Sequence, residues 1–126
     1  MKPVKEVPDN FKNPSLRRWR VIEVVSSSGT RSRHVYGHDV SNETGRASTA
    51  IKDFDLKTMT ITTQSGRTYK LLGVPGNARN GEYAWKNWCR INGVVSETDV
   101  TEEYFSADYL FLTPPDNQFA MDGAKA

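Results

Sequence analysis

Long apolar runs are missing from this chain, the longest being Leu71-Leu72-Gly73-Val74. A membrane-spanning helix needs about 20 such residues and the core of a secretory leader about 7–15, so neither is expected. The chain reads as soluble and cytosolic. Cysteine is scarcer still: Cys89 stands alone, which rules out an internal disulfide framework and every multi-cysteine zinc pattern. Glycine and proline together are too few for a low-complexity chain, and 37% hydrophobic residues are too many for a wholly disordered one. Catalytic signatures are also missing. The chain has no Walker loop, no GxGxxG, no HExxH and no nucleophile elbow. No enzyme activity and no cofactor are therefore expected.

At 126 residues the chain has the length of one domain. Its net charge of +2 conceals an asymmetry. Residues 1–34 carry eight basic side chains against three acidic, and residues 35–95 carry eight against five. Residues 96–126 reverse the sign, with seven carboxylates and only Lys125. A basic body attracts polyanions, because neutralising phosphates releases condensed counterions. The acidic segment could fold back on that body, dock a neighbouring subunit or solvate the chain end. Interspersed charges also simply keep a small domain soluble.

Residues 1–14, with three prolines, read as an irregular arm, residues 15–113 as the domain, and 114–126 as a flexible tail. Trp19 to Val25, rich in β-branched residues, predicts a first strand. Thr30 to Val40 predicts a second, bulged at Gly37. Ser41 to Gly45 reads as a loop and Ala47 to Phe54 as a third strand. Met59 and Ile61 alternate with threonines, Gln64-Ser65-Gly66 intervenes, and Tyr69 and Leu71 alternate with Thr68 and Lys70. Period-two alternation on both sides of a short glycine-containing connection is a β-hairpin. Gly81 to Asn92 predicts an amphipathic helix, with Asn80 as cap, Ala84, Trp85, Trp88 and Ile91 on its apolar face, and Gly93 as the stop. Asp99 with Glu102 resembles a second helix start, from which Val100, Tyr104 and Phe111 would form an apolar stripe. Tyr109 to Leu112 reads equally as a strand. Strands followed by helices predict an α+β fold: a small antiparallel sheet or half-open barrel of four to five strands, capped by one or two short helices.

His34, His38 and Asp39 form the one histidine-rich constellation, but a metal needs three or four convergent ligands. Asp53 and Asp55 share a strand face beside a turn, where aspartate serves the backbone. Cys89 falls beside Trp85 and Trp88, where a small buried residue is wanted. No metal site is expected from these. The densest basic-aromatic cluster is Arg17-Arg18-Trp19-Arg20. With Arg31, Arg33, Tyr36, Arg67, Tyr69 and Lys70 on neighbouring hairpins, it could form a sheet face where bases stack and phosphates pair. The plainer reading puts Trp19 in the core and the arginines in water.

The stretch Gly45 to Ile51, the run Met59-Thr60-Ile61-Thr62-Thr63-Gln64-Ser65-Gly66-Arg67-Thr68-Tyr69-Lys70-Leu71, and a helix with Tyr83, Trp85 and Trp88 closing at Gly93 resemble small uncharacterised phage and prophage proteins. These carry a T-x-S-G-x-x-Y-x-L hairpin followed by a Tyr/Trp helix. The resemblance covers roughly residues 34–93. It implies a mobile-element origin and a compact β fold, and carries no catalytic residues. Proteins of that kind act as binders on host machinery, defence systems or nucleic acid. The resulting expectation is a non-enzymatic binding protein, with no membrane contact, that meets a nucleic acid or nucleoprotein through its basic body. The competing expectation is a module that modulates a host protein complex through Glu97, Asp99, Glu102 and Glu103. The opposite charges of body and C-terminal segment allow homodimer pairing, but nothing in the sequence compels it.

Overall fold

The computed structural model describes residues 13–105. Its strands are β1 (Ser15–Ser26), β2 (Arg31–Asp39), β3 (Thr44–Ala47), β4 (Ile51–Asp55), β5 (Thr60–Thr63), β6 (Thr68–Leu72) and β7 (Val94–Asp99). Helix α1 (Arg79–Ile91) lies between β6 and β7, and a 3-10 turn spans Thr101–Glu103. All the strands join one sheet in the order β3-β2-β1-β6-β5-β4, with β7 attached to β1.

β1 is the spine of that sheet. One of its edges runs antiparallel along β2, from Leu16 opposite Asp39 to Val25 opposite Arg31. The other edge is shared. Ser15 to Arg17 pair in parallel with Lys70 to Leu72 of β6, whereas Ile22 to Ser26 pair antiparallel with β7. The register against β2 slips between Arg17 and Arg20, so that Arg18 and Trp19 together oppose Gly37. One extra residue in a strand inverts the side-chain alternation beyond it. Leu16 and Trp19, three positions apart, thereby enter the same core, with Val21, Val35, Ile61, Tyr69, Leu71, Val100 and Tyr104. On the opposite face Ile22 and Val24 pack with Tyr36 and Trp85 under the helix.

Glycines seat the first turn of α1 on the sheet. A Cβ on Gly81 would come within 2.8 Å of the Gly37 backbone, and one on Gly45 would collide with the Asn80 carbonyl. Only hydrogen fits at these positions, so the helix start lies directly on β2 and β3. Further along, Trp85 stacks on Tyr36 at 5.5 Å and on Trp88 at 5.2 Å, continuing the apolar face.

The expectation of an antiparallel sheet or half-open barrel of four to five strands with one or two helices is overturned. The sheet is mixed and seven-stranded, with a single helix and a 3-10 turn among the described residues. The added strands are short and polar. β3 reads Thr-Gly-Arg-Ala, and β7 is mostly exposed, so neither shows an apolar alternation. The parallel pairing of β1 with β6 joins residues far apart in the chain, which no local pattern reports. The strand expected from Ala47 to Phe54 is interrupted at Ser48, whose buried hydroxyl accepts the Val35 N–H while its own N–H reaches the Val35 carbonyl. Asp99 does cap a turn, accepting from the Thr101 N–H at 2.9 Å, but that turn is not a second helix.

The central hairpin, β5 with β6, stands where the alternation put it. The helix begins at Arg79 rather than Gly81, with Ala78 at the cap position and no side-chain cap. Asn80 is spent elsewhere, on His38. No helix among the described residues is long and apolar enough to cross a membrane. Of the arm expected over residues 1–14, residues 1–12 lie outside the described residues, as do the Tyr109–Leu112 segment, Phe111 and the tail.

Candidate functional site

The β1 bulge does more than pack Leu16. Arg18 sits in the left-handed region at φ 50°, a conformation that costs a non-glycine residue roughly 1–2 kcal/mol. In a regular strand Arg17 and Arg18 would point to opposite faces. Here both line one groove of about 970 Å³, together with His38, Val40, Glu43, Ala78, Arg79, Asn80 and Tyr83. Bulges re-aim side chains in this way.

Three elements build the groove. β1 contributes Arg17, directly opposite His38 in the ladder and so on the same sheet face. The β2–β3 connection contributes Val40 and Glu43 and is held by Asp39. This fully buried carboxylate accepts from the Ser41 N–H at 3.0 Å, the Asn42 N–H at 3.2 Å and the Asn42 amide at 2.9 Å, and pairs with Arg46 at 3.4 Å. The glycine-seated start of α1 contributes Arg79, Asn80 and, one turn on, Tyr83. His38 joins the walls: its Nδ1 lies 2.9 Å from the Asn80 amide nitrogen and its Nε2 lies 3.5 Å from Glu43. The Asn80 amide and the Glu43 carboxylate thus hold the imidazole from its two ring nitrogens.

Four other arginines are held by internal carboxylates, Arg46 among them. Arg20 Nε donates to Asp99 at 2.7 Å, Arg31 to Glu23 at 2.6 Å, and Arg33 to Glu23 at 3.0 Å and Glu103 at 2.8 Å. Arg31, then Arg33, hold the Glu23 carboxyl below its ordinary range. Arg17, Arg18 and Arg79 are exposed and make no salt bridge among the described residues. Among the described residues the groove therefore gathers three arginines without an ion pair around one exposed aromatic ring, with Glu43 as its one carboxylate.

The structure divides the sequence-predicted basic face. Arg17, Arg18 and the β1 bulge stand at the groove. Arg20 lies on the same face but is bonded to Asp99. Arg31 and Arg33 face the other way, since they pair with Val25 and Glu23 on the side opposite the helix. Arg67 sits in the β5–β6 connection, and Lys70 lines a separate open depression with Asp53, Asp55, Thr60 and Thr62. Trp19 is fully buried and meets Phe105 edge-on at 6.2 Å, so it belongs to the core. Tyr36 and Tyr69 are buried too.

The acidic group is exposed, but three of its four members are engaged within the protein. Asp99 and Glu103 hold Arg20 and Arg33, and Glu97 accepts from the Trp85 indole N–H at 2.8 Å. Glu97 and Glu102 are exposed and make no ion pair among the described residues, and only Glu97 has the indole as a partner. The histidines separate as well, His34 going under the tryptophans and His38 to the groove. No group of three or more His, Cys, Asp or Glu side chains converges as for a metal among the described residues.

Arg79, Asn80 and Tyr83 were outside the sequence-predicted surface, because only the glycine contacts bring the start of the helix beside β1. The chain matches no family model, no curated protein and no solved structure.

Proposed function

We propose that this is a small cytoplasmic binding protein that holds the phosphates of a nucleic acid, free or within a nucleoprotein, in the groove between β1, the β2–β3 connection and α1. The observation that carries the reading is the contrast in charge pairing. Four arginines of the body are spent on internal carboxylates, while Arg17, Arg18 and Arg79 make no ion pair among the described residues and gather on one concave surface. Arginine forks match phosphate geometry, and a groove lined by one sign of charge concentrates the opposite sign. The mobile-element resemblance of the hairpin and helix agrees with such a target. A protein partner held by the acidic segment has less support, since Glu97, Asp99 and Glu103 already serve internal contacts.

Fluorescence anisotropy of labelled oligonucleotides at about 50 and 200 mM salt tests the reading. Three phosphate contacts give a roughly 20- to 40-fold loss of affinity over that range. An Arg17→Gln/Arg18→Gln/Arg79→Gln variant should lose binding and keep its fold, as all three side chains are exposed. No binding at the lower salt would sink the proposal.

A further inference from the structure

Tyr83 gives the groove a second chemistry. Its side chain is 77% exposed, whereas Tyr36, Tyr69 and Tyr104 are each 8% exposed or less. Its ring stands in water beside three arginines that make no ion pair among the described residues, and burying such aromatic surface is favourable. Tyr83 stands four residues after Arg79 on α1, which places the ring and that guanidinium on one helix face. Arg17 and Arg18 enter from the sheet side of the same groove. A planar group resting on the ring would thus have cations on two sides.

We infer that the groove takes an unpaired nucleotide of a single strand, its base stacked on Tyr83 and its flanking phosphates held by Arg17 and Arg18 on one side and Arg79 on the other. This rests on the phosphate reading above and narrows it. In a duplex each base face is already covered by its neighbours, so only an unpaired base offers a π-face to the ring. The groove volume of about 970 Å³ is of the size that encloses a small organic ligand, and is ample for one nucleotide unit. Asn80 and Glu43, on the same walls, supply amide and carboxylate groups that can meet a base edge.

The test compares a labelled 12-nucleotide single strand with the same sequence in a duplex, and with a strand of equal length built from abasic units. The wild-type protein should prefer the single strand to the duplex by at least about tenfold. One stacked base is worth about 1–3 kcal/mol, so Tyr83→Ala should weaken single-strand binding roughly 5- to 150-fold. Tyr83→Phe should restore it, because the ring and not the hydroxyl does the stacking. The abasic strand should bind wild type and Tyr83→Ala alike, and the salt slope should be the same in both proteins. Equal binding of single strand and duplex, with Tyr83→Ala indistinguishable from wild type while the triple arginine variant loses affinity, would overturn this inference and leave the phosphate reading standing. If no oligonucleotide binds the wild type at all, both fall together.

Discussion

His34 is enclosed by the helix tryptophans, with Trp88 at 4.3 Å and Trp85 at 5.8 Å between ring centres. Its Nδ1 is 2.9 Å from the Ser48 carbonyl and its Nε2 is 2.7 Å from the Ser32 hydroxyl. Burial lowers its pKa below the ordinary 6.5, against the opposing pull of the Ser48 and Thr49 carbonyls. The unfolded chain therefore takes up a proton at a higher pH than the folded one. The stability contributed by the neutral ring is present above about pH 6.5 and is lost as pH falls below it. Denaturant unfolding at pH 7 and pH 5 should give a lower midpoint at pH 5. In a His34→Gln variant, less stable overall, that drop should shrink. A drop of the same size in the variant would assign the pH dependence elsewhere. Cys89, on the same helix, is also shielded: burial, then Glu97, push its thiol up to about 11. At pH 8 it should react with a disulfide reagent at least about tenfold more slowly than a free cysteine, and reach the ordinary rate once the protein is unfolded.

Among the elements, the contact of α1 with β2 and β3 controls both stability and the site. A methyl group at Gly81 would have to displace the Gly37 backbone, 2.8 Å away. Overpacking of this kind costs about 1–3 kcal/mol, so Gly81→Ala should lower the unfolding free energy by that amount. Because the same contact aims Arg79 and Tyr83, the variant should also bind oligonucleotides more weakly at temperatures where it remains folded. Full stability in Gly81→Ala would show that the helix start can shift freely. These elements also mark where the sequence was readable. The β5–β6 hairpin was legible because Ile61, Tyr69 and Leu71 alternate with polar residues that face water. The body of α1 was legible for a similar reason, with Trp85 and Trp88 four and seven residues after Gly81. β3 and β7 were not, since short polar edge strands owe their pairing to a partner rather than to their own pattern. Arg17 and Arg18 stood out as adjacent charges. That they share a groove depends on the slip of register opposite Gly37, and that Arg79 joins them depends on three glycines touching across elements. Glycine identities were visible in the sequence, but which backbones they admit was not.

At the scale of the molecule, folding offsets part of the charge asymmetry among the described residues. The acidic stretch following α1 returns along β1 as β7 and the 3-10 turn, and places Asp99 against Arg20 and Glu103 against Arg33. Surface pairs of this kind contribute about 0–1 kcal/mol each, so their removal should leave the fold intact. Their larger effect is on the field outside the protein, because each pair withdraws one cation from the surface that meets a polyanion. The two pairs lie on opposite sheet faces, which makes their release distinguishable. Asp99→Asn keeps the Oδ1 that caps Thr101 and removes the oxygen that holds Arg20. Arg20 shares the groove's face with Arg17 and, once released, can reach one further phosphate. Single-strand affinity should rise at low salt, and the slope of log K against log salt should steepen by up to about 0.7. Glu103→Gln frees Arg33 on the far face and should change neither quantity, although it adds the same unit of net charge. Equal gains from the two substitutions would mean that net charge alone governs binding. A gain confined to Asp99→Asn would tie the affinity to the face formed by β1 and α1.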